Sequence, residues 1–519
     1  MEVKIMRIKA LLLAFLMLGT AVLSTACSDN GTDDKETKKE STTESSQTVS
    51  EEETETETER VSTDLSDMTF DGADFGIYMR ECEAAGWNVW QDIWVESVNG
   101  EPINDAVYNR NNKIQSLYDI TIKYYEDYYI TFEENCKKAV KTGEQQYHVV
   151  ISSGHDIPRM YTNEIFYNLH DINYINFDKP WWDSNSVESF TLGHYLPFAC
   201  SDISILNYGS AGATFYNKKL ANDYNLPNLY ELVLEGKWTM DKLIELGTLA
   251  EKDLNGNGIS DDEDRYGIVC SDEPVYMFFH SAGGRYVSKD ENNYPVLSFE
   301  SEHNYDAIKY YLENIMYDAK LTRNNSFVPD SKSPKDMFMQ NQALFMLDMI
   351  RQTNALREME EDFGIIPIPK YEESQKNYAS SVSCFGGSLI SVLMSNQALD
   401  MTGFILEALS AESKYTLVPA FYDTVLKDKS MRDKESTAML DIISANLVYD
   451  VGDYYSLYNF PDLFLRITGS VYDNNVNKSY PQRTSDVASF YKKYEKPMNT
   501  ALKQLIKIID KWNADDAAN

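Results

Sequence analysis

Residues 119–152 read DITIKYYEDYYITFEENCKKAVKTGEQQYHVVIS, and their pattern decides the fold. Ile120, Ile122 and Tyr124 alternate with polar residues, as in a strand with one buried face. Thr131 followed by Glu134 has the form of a capping box opening a helix, and Gly143 stands where a left-handed residue closes one. The run YHVVIS (147–152) reads as a strand buried on both faces. Strand, helix and strand within ~30 residues form the unit that builds parallel sheets. Upstream, residues 104–118 fit a helix, with Asn104 as its cap and Val107, Ile114, Leu117 and Tyr118 on one side. DFGIYMR (74–80) reads as an earlier strand ending at Arg80. An α/β fold with substantially parallel sheets is expected.

A chain of 519 residues exceeds what one core usually holds, so two lobes are expected. With 43% hydrophobic and 13% aromatic residues, global disorder is excluded. The 36 tyrosines suit wet binding surfaces, each offering an apolar face and a polar tip. A formal charge of −35 without a basic cluster argues against nucleic acid as a partner. Cys82, Cys136, Cys200, Cys270 and Cys384 are scattered and lack CxxC spacing, which speaks against a disulfide framework or zinc site.

The first 27 residues read as a targeting segment. Lys4, Arg7 and Lys9 precede an apolar run, Ala10–Leu23, too short to cross a ~30 Å hydrocarbon core. The run ends in Ser24-Thr25-Ala26-Cys27, similar to a bacterial lipobox, although Ser24 stands where such motifs prefer Leu, Val or Ile. That similarity implies a diacylated Cys27 and a protein held at the extracytoplasmic face of the cell membrane. Residues 28–66 follow as an acidic Ser/Thr-rich tether expected to be disordered.

A second helix start is marked in GKWTMDKLIELGTLAEKD (236–253), with Thr239 as N-cap and Trp238 placed to staple against Leu243. The helix is expected to run into DLNGNGISDDEDRYG (253–267). There Asp253, Asn255, Asn257, the Ile259 carbonyl, Asp261 and Asp264 have the spacing of a calcium loop turning at Gly258. Asp264 stands where such loops carry a longer Glu. RYGIVC (265–270) then reads as a strand, so a structural Ca²⁺ would sit in a helix–loop–strand element. A C-terminal helix is expected over roughly 488–512.

Motifs for nucleophilic, zinc-dependent or phosphate-binding catalysis (GxSxG, HExxH, a P-loop, GxGxxG) are missing, and no catalytic cofactor is expected. Several stretches read instead as ligand-site loops. SSGHDIP (152–158) leaves the C-terminal end of a strand, where open α/β sheets place ligands. HSAGGRY (280–286) and SCFGGSL (383–389) pair glycines with an Arg or an aromatic ring, and AAGWNVWQDIW (84–94) concentrates three tryptophans.

At this point a family resemblance can be given. FYNKKLANDYNLPNLYELVLEGKWTMDKLIEL (215–246) followed by DLNGNGISDDEDRYGI (253–268) resembles the extracellular solute-binding lipoproteins of bacterial ABC importers, of the carbohydrate-binding family 1 type. MFMQNQALFML (337–347), DFGIIPIPK (362–370), EALSAESKYTLVPAFYDTVLKDK (407–429) and RDKESTAMLDII (432–443) extend the likeness over residues 67–519. The resemblance implies two discontinuous α/β lobes with a multi-strand hinge, about 67–205 plus 375–412 and 213–365 plus 413–519. It also implies a monomeric non-enzyme that captures a solute, expected to be an oligosaccharide, and hands it to permease subunits; an extracytoplasmic carbohydrate-active enzyme or wall-associated adhesin on a similar scaffold is the alternative. The expected ligand contacts are Arg80, Trp87, Trp90, Ser153, Asp156, Asp202, Gly284, Arg285 and Phe385. Trp87 would stack on a sugar ring, and Asp156 and Arg285 would bond hydroxyls from opposing lobes.

Overall fold

A computed structural model of the chain describes residues 60–81, 90–271, 273–327, 331–426, 434–455, 467–468 and 484–516. Cys27, Cys82 and Trp87 lie outside the described residues, as do the signal segment and most of the tether. Two main sheets organise residues 60–519. The first has the order β12–β3–β1–β2, formed by β1 (Ala73–Arg80), β2 (Ile120–Asp127), β3 (Val149–Ser153) and β12 (Ser388–Ser391). β2 and β3 pair parallel to β1, whereas β12 enters antiparallel beside β3. The second has the order β10–β4–β9–β5–β8, formed by β4 (Gly212–Asn217), β5 (Tyr266–Cys270), β8 (Thr322–Asn324), β9 (Ala343–Met349) and β10 (Phe363–Pro367). β5, β8 and β9 run parallel, and β4 lies antiparallel between β9 and β10. Two short ribbons join β6 (Val287–Lys289) to β7 (Pro295–Leu297), and β11 (Ser380–Ser381) to β13 (Leu447–Val448).

The helices used below are α1 (Pro102–Tyr118), α2 (Tyr129–Thr142), α3 (Ser184–Phe190), α4 (Met240–Thr248), α5 (Pro274–Ser281), α6 (Leu399–Tyr415), α7 (Leu417–Val425), α8 (Lys434–Ala445) and α9 (Glu495–Asp516). Local capping chemistry sets several ends. Thr239 Oγ1 accepts the Lys242 N–H at the start of α4, with Trp238 and Leu243 fully buried beside it, and Gly143 closes α2 at φ 72°. Two expected starts move. α1 begins at Pro102, which needs no N–H in a first turn, so Asn104 is helical and donates to the Ser97 carbonyl. α2 begins at Tyr129; Thr131 lies inside its first turn and donates to the Tyr128 carbonyl instead of capping. Leu117 is 55% exposed, because Ile103, Val107, Arg110 and Ile114 form the buried face of α1. α4 stops at Thr248, short of Asp253. The expected C-terminal helix is two pieces, Val487–Lys492 and α9, because Pro497 can be held only in a first turn.

Among the described residues the chain passes between the sheets at three places. Residues 203–212 lead from the first sheet to β4 through a short turn of helix, Leu206–Gly209. The stretch after β10 returns by way of Val382, bridged to Ala211, to β12. α6 and α7 both pack on α1, beside the first sheet, and only α8 comes back against β10. The return therefore falls after α7, later than the expected boundary at residue 413.

Candidate functional site

The C-terminal ends of β1 and β3 carry a buried charge pair. Arg80 ends β1, and its Nη1 donates to Asp156 Oδ2 at 2.7 Å and to Ser153 Oγ at 3.3 Å. Ser152 and Ser153 hydroxyls donate to the same carboxylate oxygen at 2.9 and 2.8 Å. Burial opposes the Asp156 charge, but hydrogen bonds from His155 and the two serines, with the Arg80 charge, overcome it and hold the carboxyl below its ordinary range. Parallel strands aim their last residues at one edge, which is why residues 76 positions apart meet here.

The returning segment Ser383–Gly387 covers this ridge. The Phe385 ring lies 4.8 Å from the His155 ring, and Gly387 accepts the Gly154 N–H at 3.1 Å. On its other side the segment meets the second sheet. A side chain at Gly386 would strike Arg351 Nη1 and Ser210 Oγ, both 2.6 Å away. Tyr276, in the first turn of α5, is buried; burial pushes its hydroxyl well above the ordinary range, with the Glu273 charge adding to the rise and Ser383 and Arg351 opposing it. Arg80, Ser153, Asp156 and Phe385 are thus brought together. His155, Tyr276 and Arg351 join them, although the sequence reading did not single them out. Arg351 carried a usable signal, being the first charged residue beyond the C-terminal end of a buried strand.

The other expected contacts lie elsewhere. Trp90 is buried, edge-on to Phe421 at 5.4 Å and filling the space above Gly209. Asp202 is buried with the Tyr208 hydroxyl at 2.6 Å and Lys414 Nζ at 3.4 Å, and burial raises its pKa to about 6. Arg285 donates to the Gly284 carbonyl at 2.7 Å and faces Asp450 and Asp453, while Gly284 packs under the Phe279 ring. Neither Arg285 nor Asp156 reaches across to the other, each having a charge partner of its own.

The loop 253–264 folds upon itself. Asp253 accepts the Gly256 and Gly258 N–H groups at 2.6 and 2.9 Å. Asn255 and Asn257 accept the Asn257 and Ile259 N–H groups, and their amide nitrogens point at the Asp261 carboxylate. Asp264 is buried and takes the Leu254 and Asp261 N–H groups at 3.1 Å. Beside the loop lies a cavity of about 270 Å³ lined by Lys252, Arg265, Tyr266 and Lys320 among others. Among the described residues, no three His, Cys, Asp or Glu side chains gather as a metal centre would require. No helix among them is long and apolar enough to cross a membrane.

No family model matches the chain, and no curated protein does. Solved structures do match. A cyclo/maltodextrin-binding protein complexed with maltotetraose superposes with a TM-score of 0.51 at 12% identity, over 85% of this chain and 97% of that one. An ABC substrate-binding protein from Listeria monocytogenes in complex with cycloalternan gives 0.50 at 11% identity, over 84% and 99%. UspC of M. tuberculosis gives 0.50 at 13% identity, over 82% and 100%. The fold is therefore the two-lobed, periplasmic-binding-protein-like α/β architecture that the resemblance implied.

Proposed function

We propose that the chain is the substrate-binding protein of an ABC importer, capturing an oligosaccharide between its lobes and delivering it to permease subunits. The observation that carries this reading is the convergence at Ser383–Gly387. There the Arg80–Asp156 ridge of one lobe and the Tyr276–Arg351 edge of the other approach a single segment. Polar groups converging from two lobes around aromatic rings are what a polyhydroxylated ligand needs, since sugars present both C–H faces and hydroxyl rims. Solved proteins of this fold hold maltotetraose and cycloalternan, which favours a glucan as the class to test first. Calorimetry with maltotriose, maltotetraose and cyclic glucans should give saturable binding without turnover, lost in Arg351→Ala. Hydrolysis of the sugar, or no binding by any member of the panel, would reject the reading.

Lipid attachment at Cys27 is supported by the charged n-region, the short apolar run and the acidic tether. It would place the folded part outside the cytoplasmic membrane on a self-repelling spacer. Cys27→Ala should release the protein from the membrane fraction; retention would place the anchor elsewhere. The loop 253–264 offers only hard oxygen donors, from Asp253, Asn255, Asn257, Ile259, Asp261 and Asp264, which suits Ca²⁺ as a structural clip. Chelation should then lower the melting temperature by a few degrees, and identical curves with calcium and with EDTA would reject the clip.

A further inference from the structure

Away from the chain crossings the segments of the two sheets touch in several places, among them Arg357 with Glu101 at 3.8 Å and Tyr449 with Asp183 at 2.6 Å, and one such set of contacts is built on a hairpin. The β6–β7 hairpin leaves the second-sheet segment after α5 and reaches the loop that follows α3, in the first-sheet segment. Lys289 on β6 donates to the Glu188 carbonyl, and to that of Thr191 at 3.2 Å, setting its charge at the C-terminal end of α3. At the hairpin turn, the Asn293 carbonyl accepts the Gly193 N–H at 3.1 Å. The last turns of α9 close the same loop from a third side. Asn513 accepts the His194 N–H at 3.2 Å and donates to the Tyr294 hydroxyl at 2.8 Å. Trp512 stacks on Tyr195, with ring centroids 4.1 Å apart and planes 24° apart.

The geometry points to a latch: the hairpin and the end of α9 hold loop 191–195 and so set the balance between closed and open lobes. α9 packs on β7 and, through Trp512 in its last turns, on Tyr195 and Tyr161, so it bridges the hairpin and the first-sheet segment. A rotation that separates the lobes must unstack Trp512 and withdraw Lys289 from α3. Gly193 shows how closely the parts fit, since it sits at φ 60° and a side chain there would lie 3.0 Å from Asn513 Cγ. A contact made only in the closed state shifts the equilibrium by its own differential free energy, before any ligand arrives. This inference rests on the two-lobed fold and not on the identity of the ligand.

The test is a distance measurement on the full chain without sugar. Lys138→Cys on α2 and Glu245→Cys on α4, both exposed, receive spin labels in a background carrying Cys27→Ser and Cys82→Ser. Cys136, Cys200, Cys270 and Cys384 are buried, which protects them from labelling. Pulsed electron resonance should give a dominant distance matching this structure. Trp512→Ala, Lys289→Met and Gly193→Ala should each raise the longer-distance population about threefold or more. Lys289→Met changes no backbone and keeps the test decisive if the other variants fail to fold. An unchanged distance distribution in the folded variants overturns the latch, whatever sugar the protein proves to bind.

Discussion

Two loops of this chain hold carboxylates and use them in opposite ways. In Ser152–Asp156 the carboxylate is buried, and its partners come from another strand, Arg80, as well as from its own turn. In Asp253–Asp264 most carboxylates and amides are exposed and accept N–H groups of the same loop, while Asp262 is held from outside it by Arg323, Ser331 and Lys332. The first arrangement is held in place by the tertiary fold and cannot form without it. The second is formed largely by local hydrogen bonds and is tied to the rest of the fold through Asp262. A buried charge whose partner is distant in sequence is costly to assemble, and its position at strand ends beside a chain crossing supports the proposal of a ligand site there.

The sharpest way to break that comparison is to remove one partner from each loop. Arg80→Ala should leave the Asp156 carboxylate buried and uncompensated, at a cost of about 3–5 kcal/mol in urea unfolding. Replacing both, as Arg80→Leu with Asp156→Leu, should recover most of that loss while abolishing sugar binding. A single-variant loss under about 1 kcal/mol would mean that water reaches the pair and that the contrast with the exposed loop is false.

What was legible in the sequence follows the same division. Gly143 closing α2 and Thr239 capping α4 were readable because capping involves groups within three or four residues. Asn104 and Thr131 misled for a local reason: Pro102 and Tyr129 offered earlier starts that satisfied the same N–H groups. The spacing of the calcium-like loop was readable, being contained in twelve residues. The pairing of Arg80 with Asp156 was not, although both residues were singled out, because nothing in either segment specifies its partner. Arg285 shows the converse. It follows two glycines and reads as a ligand contact, yet its charge faces Asp450 and Asp453, more than 160 positions away. Trp90 reads as a ligand contact in a tryptophan-rich stretch, whereas the structure buries it against Gly209 and Phe421.

Acidification separates the two kinds of carboxylate by a smaller amount. Burial raises Asp92, Asp202 and Asp450 to about 6 each, with Asp453 adding to the rise of Asp450. Between pH 6 and the ordinary value near 3.8 the folded state therefore binds protons that the unfolded chain does not, and stability rises as pH falls. His280 opposes this: burial lowers it to about 4, so the unfolded histidine takes up its proton first. Burial also raises Asp183, Asp348, Glu407 and Asp453 and lowers His148 and His170, so the carboxylates that favour acid outnumber the imidazoles that oppose it, in a chain of formal charge −35. The melting temperature should climb by a few degrees from pH 7 to pH 5. Below pH 3.8 it should fall, as Asp156 and the exposed Asp261, both held below their ordinary values, lose their hydrogen-bonded anions. A melting temperature that declines steadily from pH 7 downward would show that the buried groups are solvated in solution.

The smallest expected effect tests whether the exposed loop is as self-contained as its hydrogen bonds suggest. Asp253 takes two N–H groups, from Gly256 and Gly258, both glycines in the left-handed region, at φ 73° and 72°. Asp253→Ala removes those acceptors, but water can replace them at once because the loop is exposed. The loss without calcium should be about 1 kcal/mol, comparable to a helix cap and several-fold below Arg80→Ala. Sugar binding should be unaffected, since no residue of the loop touches the Ser383–Gly387 junction. Asp253→Asn keeps one oxygen for the N–H groups and removes the charge, so it should cost less than alanine without calcium. If added calcium stabilises the wild type but neither variant, the carboxylate is a metal ligand as well as a turn former. If Asp253→Ala costs as much as Arg80→Ala without calcium, the loop is coupled to the core through Asp264 and the contrast between the two loops fails.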